Sequence, residues 1–295
     1  MAILSLMQVR MSSGRFLGAF PLAVNRQPQQ GSIDLHSHVF KELVIILSGK
    51  AVHYSGRDAY DIMAGDCFVV EEAHGYRESR DLNLVNVLFI PDRLPLPWNE
   101  ARKLPGYHAF FALEPRYRKL HNFRSRLRLS PPQLSRVSAL IDDMEKELKA
   151  QSPGFEIMAT ALFIELVGFL SRAYARMEGT HYSGLLGLSE VISHLERNYA
   201  EEISMRDLAR MASMSESALL RAFRSATGHS PIDYLIRLRV RQACGLLRQE
   251  NMKVTEVAYR TGFNDSNYFS RQFRRVMGMS PREHRRGRRI GVEQV

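Results

Sequence analysis

Hydrophobic and polar positions follow two periods along this chain, and the change between them divides it. Over about residues 15–95 the apolar positions come in short runs broken by glycine turns. Glu42-Leu43-Val44-Ile45-Ile46-Leu47 stops at Ser48-Gly49-Lys50, and Ala51-Val52-His53-Tyr54 stops at the next glycine turn. Tyr60-Asp61-Ile62-Met63 leads through Ala64-Gly65-Asp66 into Cys67-Phe68-Val69-Val70, and Leu82 to Ile90 alternates again before halting at Pro91. Short β-branched strands with turns at this spacing predict an antiparallel barrel or sandwich. From Pro131 the period becomes helical: Leu134, Val137, Ile141, Met144 and Leu148 recur at steps of three and four. Ser130 before two prolines marks the start of that helix, and Ser152-Pro153-Gly154 its end. A second helix, about 155–176, is apolar on most of its faces, which predicts burial against the barrel or against a second copy of the chain. The polar, glycine-containing stretch 179–184 predicts a linker, and everything beyond it is helical in period.

Beyond that stretch the chain repeats itself. Phe223-Arg224 through Gly228, Ser230 and Pro231 returns as Phe273-Arg274 through Gly278, Ser280 and Pro281, at a constant offset of 50 residues. Each copy predicts a short helix with a small inward alanine (Met205–Ala212; Val254–Thr261), a tight turn and a second helix (Glu216–Ala226; Ser266–Met277). Gly262 suits a left-handed helix stop, and Ser215 and Asp265 suit N-caps. Leu219/Phe223 and Phe269/Phe273 form the apolar stripes, and the opposite faces are polar and basic. This is the pattern of two helix-turn-helix units joined by a long helix that opens at Pro231, an arrangement able to place two helices in successive major grooves.

Charge sharpens that reading. The chain carries a net charge of +10. From His181 onward 19 Lys/Arg stand against 12 Asp/Glu, while the first 180 residues hold 22 against 19. A domain-sized basic excess is the footprint of a nucleic-acid binder. No uninterrupted apolar stretch has the length of a membrane span, no basic start suggests a secretory leader, and Cys67 and Cys244 form no disulfide or metal motif. These features predict a cytoplasmic protein with no membrane partner.

Residues 185–289 resemble the DNA-binding domain of the AraC/XylS transcription regulators, most specifically through TEVAYRTGFNDSNYFSRQFRRVMGMSPREHR. Asn83 to Leu88 and the histidine-rich turn upstream are similar to the rhamnose-type sugar regulators within that family. The resemblance implies base contacts at Ser217, Leu220 and Arg221 in the first copy and at Asn267 and Arg271 in the second, with Asp265 on the same outward face. Arginine suits guanine and asparagine suits adenine. Arg224, Arg274 and Arg275 suit phosphates, which position without specifying. In related activators the surface around Glu256 touches RNA polymerase; a solvated acid in the first turn of a helix explains that residue equally well.

His36-x-His38-x3-Glu42-x6-Gly49 has the spacing of the first cupin motif, and Gly65-Asp66 followed by His74 resembles the second. In metal cupins such side chains converge on one divalent ion, so His36, His38, Glu42 and His74 are the candidate ligands here. The second motif lacks its usual proline and internal glycine. The favoured expectation is therefore a small-molecule pocket without cofactor. In it His36, His38, Glu42, Tyr54 and His74 hydrogen-bond an effector, in the first instance a sugar, with Trp98 and Tyr107 stacking on it.

The expected fold is α+β. A cupin-like β-barrel occupies 1–130, a helical dimerisation segment 131–178 and a linker 179–184. An all-α domain with two helix-turn-helix units occupies 185–295. The expected function is a homodimeric, effector-controlled transcription activator on double-stranded promoter DNA, not an enzyme. Three other readings stay open: a metal-dependent cupin enzyme fused to a DNA-binding domain, a nonspecific architectural DNA-binding protein, and a regulator that senses a protein or a metal ion.

Overall fold

A computed structural model describes residues 9–11, 20–55, 58–70, 73–94, 98–118, 125–248 and 252–286, with 9–11, 98–99 and 180–181 described by backbone alone. The chain divides into two compact units, Met1–Ser189 and Glu190–Val295.

The first unit is built on eight strands: β1 Val9–Met11, β2 Leu22–Gln27, β3 Ile33–His38, β4 Lys41–Ser55, β5 Asp58–Met63, β6 Asp66–Val70, β7 His74–Phe89 and β8 Leu127–Arg128. Their order is β1-β3-β7-β4-β6-β8, with β2 added on β7 and β5 on β4. Two long strands organise the sheet. The first half of β4 pairs with β6 and its second half with β5, while β7 pairs with β3 near its start and with β2 near its end. All pairings are antiparallel except β1 with β3. Both faces of the sheet are covered, which is why Leu43–Ile46 reads as a continuous apolar run rather than an alternation. Val44, Ile46, Phe68, Val70, Tyr76 and Leu84 pack together on one face. Leu43, Ile45, Cys67, Val69, Val87 and Phe89 pack on the other, against helices.

Those helices follow β7 and β8. A 3-10 turn at Pro91–Arg93 leads to α1 (Trp98–Ala101), α2 (Pro105–His108), a π-helical turn (Ala109–Leu113) and α3 (Glu114–Tyr117). Then come α4 (Pro131–Ala150) and α5 (Phe155–Ala175). At the start of α4 the Ser130 N–H donates to Gln133 Oε1 at 2.8 Å, and two prolines occupy the first turn, as their fixed φ favours. A left-handed Gln151 ends it. Val137, Ile141, Met144, Phe163, Leu166 and Leu170 bury the shared face of the pair on the sheet. By length and composition α5 is apolar enough to cross a membrane, with a mean hydropathy of 1.5, but half of that window is buried inside the unit.

The stretch expected as a linker opens α6 (Thr180–Arg197), so Gly184 sits inside a continuous helix. The boundary between the units falls within α6 rather than before it. A glycine without a following proline lowers helix propensity without stopping the helix.

The second unit is helical: α7 (Met205–Met211), α8 (Glu216–Thr227), α9 (Pro231–Leu247), α10 (Val254–Arg260), α11 (Ser266–Met277) and α12 (Pro281–Arg286). Its caps repeat with the sequence. Ser215 accepts the Ala218 N–H, and Asp265 accepts the Tyr268 N–H. Ser230 accepts from Asp233 and Ser280 from Glu283, both at 3.2 Å. Gly228 and Gly278 end α8 and α11 with φ of 79° and 75°. Gly262 adopts φ 85°, and a Cβ there would lie 2.7 Å from the Ala200 carbonyl oxygen, so the turn before α11 needs glycine on both counts. The equivalent turn of the first copy holds Ser213 at φ 53°.

Candidate functional site

Strand pairing builds an imidazole–carboxylate cluster in the first unit. His36 and His38 share a face of β3, two residues apart, and His36 pairs with His74 at the start of β7. The His36 and His74 ring centres are 4.5 Å apart. Glu42, near the start of β4, places Oε2 3.0 Å from His38 Nε2 and 3.6 Å from His74 Nε2. Burial alone would raise the Glu42 pKa, but the His38 and His74 rings outweigh it and hold the carboxyl well below its usual range. Burial and the neighbouring His74 lower His36.

The tautomers follow from the carbonyls. His38 Nδ1 lies 2.6 Å from the Phe40 carbonyl oxygen and His36 Nδ1 3.1 Å from that of Asp34. A carbonyl only accepts, so each Nδ1 donates, and in the neutral ring Nε2 keeps its lone pair. The His38 Nε2 contact with a carboxylate is then attractive only when a proton or a cation sits on that nitrogen. Metal–ligand bonds of about 2.0–2.1 Å put tetrahedral donors about 3.4 Å apart. Donor atoms of His38, Glu42 and His74 all lie within 4.8 Å of one another, and His74 Nδ1 has no hydrogen-bond partner among the described residues. The triad therefore fits a divalent ion of the zinc class; His36 stands outside it.

His53 and Tyr76 join this cluster and were not legible as part of it. The His53 ring lies 5.4 Å from His74 and 5.5 Å from Tyr76. Both are fully buried; burial pushes the His53 pKa down and the Tyr76 pKa up. Tyr54 points elsewhere: its hydroxyl donates to the Ile33 carbonyl at 3.0 Å. Gly75 is required beside it, since a Cβ there would meet the Tyr54 ring at 2.7 Å. The Trp98 side chain lies outside the described residues.

A cleft of about 510 Å³ opens on the helical side. His38, Phe40 and Lys41 line it from the β3–β4 turn, and Phe89 and Asp92 from the end of β7 and the turn after it. Arg102, Tyr107, His108 and Phe111 line it from the helical layer, and Val167 from α5. Of the polar residues expected to bind an effector, His38 lines this cleft. The rings of Tyr107 and Phe111 stack with centres 5.3 Å apart.

In the second unit the two helix-turn-helix units present matching faces. Leu219 and Phe223 of α8 and Phe269 and Phe273 of α11 are fully buried. Ser217, Leu220, Arg221 and Arg224 of α8 are exposed, as are Asn267, Arg271, Arg274 and Arg275 of α11. Arg271 lies over the Tyr268 ring at 5.8 Å. Arg275 pairs with Asp233 at 2.6 Å and Arg274 with Glu283 at 3.4 Å. The Asp265 carboxylate is engaged as the α11 cap. Glu256 is exposed on α10 and pairs with Arg260 at 3.0 Å.

Residues 18–167 match a family model described as an AraC-like ligand binding domain, and residues 208–287 one described as a helix-turn-helix domain. The chain is similar to the HTH-type transcriptional activator RhaR of Mannheimia succiniciproducens, with 28% identity over 90% of this chain and 91% of that one. It is similar to the HTH-type transcriptional activator RhaS of an Enterobacter species, with 33% identity over 94% of this chain and 96% of that one. Among solved structures, the DNA-binding domain of AdpA in complex with a target DNA is 38% identical over 37% of this chain and 98% of that one, with a TM-score of 0.34.

Proposed function

Because this chain belongs to the AraC family of transcription regulators, we propose that it is a sequence-specific, effector-controlled regulator, chiefly an activator, of promoter DNA. The observation that carries this reading is the pair of capped helices α8 and α11. Each buries one apolar stripe and turns an arginine-bearing face to solvent. The effector is a small molecule of the sugar or related carbon-source class, held by the first unit. Its binding shifts the population between forms that differ in DNA occupancy. Homodimerisation rests on α5, which exposes Ile157, Met158 and Ile164, and polymerase contact rests on the face of α10 around Glu256. The protein acts in the cytoplasm, where chromosomal DNA is found.

Fragmented genomic DNA retained at about 0.15 M salt tests the reading, since nonspecific binding is weak there. A few loci sharing a motif are expected; flat retention with and without metabolites overturns it. Arg271→Ala should weaken binding to the recovered motif by roughly 10–100-fold, relax the preference at one base position and leave the melting temperature within about 2 °C. Uniform weakening across all sequences would instead make Arg271 a phosphate contact.

The His38–Glu42–His74 geometry favours a second reading, in which a divalent ion forms part of the sensed state. When bound, the ion would supply the positive charge that the His38 lone pair and the Glu42 carboxylate face. Chelator-stripped protein reloaded with Zn(II) should then hold about one ion per chain by elemental analysis. Glu42→Gln should weaken that binding by roughly 100-fold. Equal retention by the variant sinks this reading.

A further inference from the structure

We propose that Asp233, in the first turn of α9, stands in for a DNA phosphate: it holds Arg275 of α11 and so keeps that arginine from adding to the protein's sequence-independent grip on DNA. The inference rests on the regulator reading above and deepens it, by naming a residue that sets affinity without touching a base.

The internal repeat exposes the arrangement. Ser230-Pro231-Ile232-Asp233 returns at the same offset as Ser280-Pro281-Arg282-Glu283, so α9 and α12 each carry an acid in their first turn. In the second copy that acid pairs within its own copy: Glu283 Oε2 lies 3.4 Å from Arg274 Nη2, nine residues back. The same step back from Asp233 leads to Arg224, which forms no ion pair among the described residues. Asp233 crosses instead to the other copy, where its Oδ1 accepts from Arg275 Nη2 at 2.6 Å. Its Oδ2 accepts from Arg237 Nε at 2.9 Å and lies 3.2 Å from His229 Nδ1. Burial alone would raise the Asp233 pKa, but hydrogen bonds from Arg237 and Arg275 outweigh it and hold the carboxyl below its usual range.

Arg275 follows Arg271 by four residues, on the same exposed face of α11. Ser225 occupies its place in the first copy, so the second copy carries an arginine that the first lacks, and Asp233 answers its charge. A guanidinium offers the same donors to a carboxylate and to a phosphate. Reaching a phosphate therefore means leaving Asp233, and the two contacts largely cancel. The carboxylate left behind also repels the incoming phosphate. Sequence-independent binding follows the number of phosphates neutralised, so withholding one arginine lowers that number by one. Base preference is read by other side chains and is left as it was.

The test is a double-mutant cycle on the full-length protein, read as binding to a random-sequence duplex and to the recovered motif over a range of salt. Asp233→Asn should bind both duplexes roughly 3–10-fold more tightly at about 0.15 M salt, with a log–log salt slope steeper by about 0.9, the yield of one more phosphate contact. Its base preference should not change. Arg275→Gln should cost less than about twofold on its own, since Asp233 keeps Arg237, and should abolish the gain of Asp233→Asn when the two are combined. Melting temperatures within about 2 °C of the parent mark the variants as folded. If Asp233→Asn does not fold, Arg275→Gln alone decides, because an arginine already spent on a phosphate would cost about threefold or more on removal. Three results overturn the proposal: folded Asp233→Asn binds no more tightly, its gain survives Arg275→Gln, or Arg275→Gln alone costs about threefold or more. A parent protein that holds both duplexes equally removes the regulator reading instead, and the cycle is then decided on the random duplex alone.

Discussion

Glu114→Ala should cost the first unit about 3–5 kcal/mol, the penalty of leaving a buried charge without its partner. Glu114 is fully buried, and Arg118 beside it is 7% exposed. The guanidinium donates to Glu114 twice, at 3.2 and 2.8 Å, and its Nη2 also reaches the Val69 carbonyl at 2.6 Å. The pair thus joins α3 to β6. With alanine at 114, a desolvated cation loses the carboxylate that balances its charge. Against a total stability of about 5–15 kcal/mol, that loss is severe. Urea unfolding should show a midpoint shift of this size. The double replacement Glu114→Met with Arg118→Met should recover most of it, because a matched apolar pair removes both desolvation penalties. A single-variant loss under about 1 kcal/mol would mean that water reaches the guanidinium and that the pair is only partly desolvated.

Phe273→Ala should cost the second unit a comparable amount, about 3–5 kcal/mol, through lost burial and the cavity left behind. Phe273 is fully buried between Phe269 and His284, each ring centre 5.6 Å away. A unit of about 100 residues loses roughly 4–8 °C per kcal/mol, so its melting temperature should fall by about 12 °C or more. DNA binding should fail on heating well before that of Arg271→Ala, which touches no core residue. The internal repeat supplies a control. Phe223 occupies the matching place in the first copy, buried beside Tyr234, and Phe223→Ala should cost a similar amount. A loss below about 1 kcal/mol at Phe273 would show that α11 and α12 close over the gap.

Features set by local chemistry could be read from the residues alone. Caps, glycine stops and the 50-residue repeat depend on neighbours within four positions. Apart from α6, which begins inside the stretch expected as a linker, the helices from α4 to α11 therefore start and end within about two residues of expectation. What escaped depends on distant pairing. Glu42, Val44 and Ile46 share one face of β4, and simple alternation would send His53 to the other. Register shifts between Ile46 and Val52 reset the parity, so His53 arrives beside His74 after all. Glu114 and Arg118 lie four residues apart, but their burial is decided by Val69, 49 residues away from Arg118. Arg102 follows, and Tyr107 belongs to, four-residue helices too short to carry a period. Among the candidate residues the histidines of β3 were legible because two residues of strand spacing suffice to put them on one face.

The helix α5 has two working sides. Val167 helps to wall the cleft, while Ile157, Met158 and Ile164 lie on the solvent side. One rigid body therefore meets whatever fills the cleft and whatever covers the exposed residues. Coupling between two such sites is reciprocal: a ligand that favours association must itself be held more tightly by the associated form. For a protein present in few copies, effector sensitivity then becomes a function of abundance, and the concentration that half-saturates the sensor falls as the cell makes more of it.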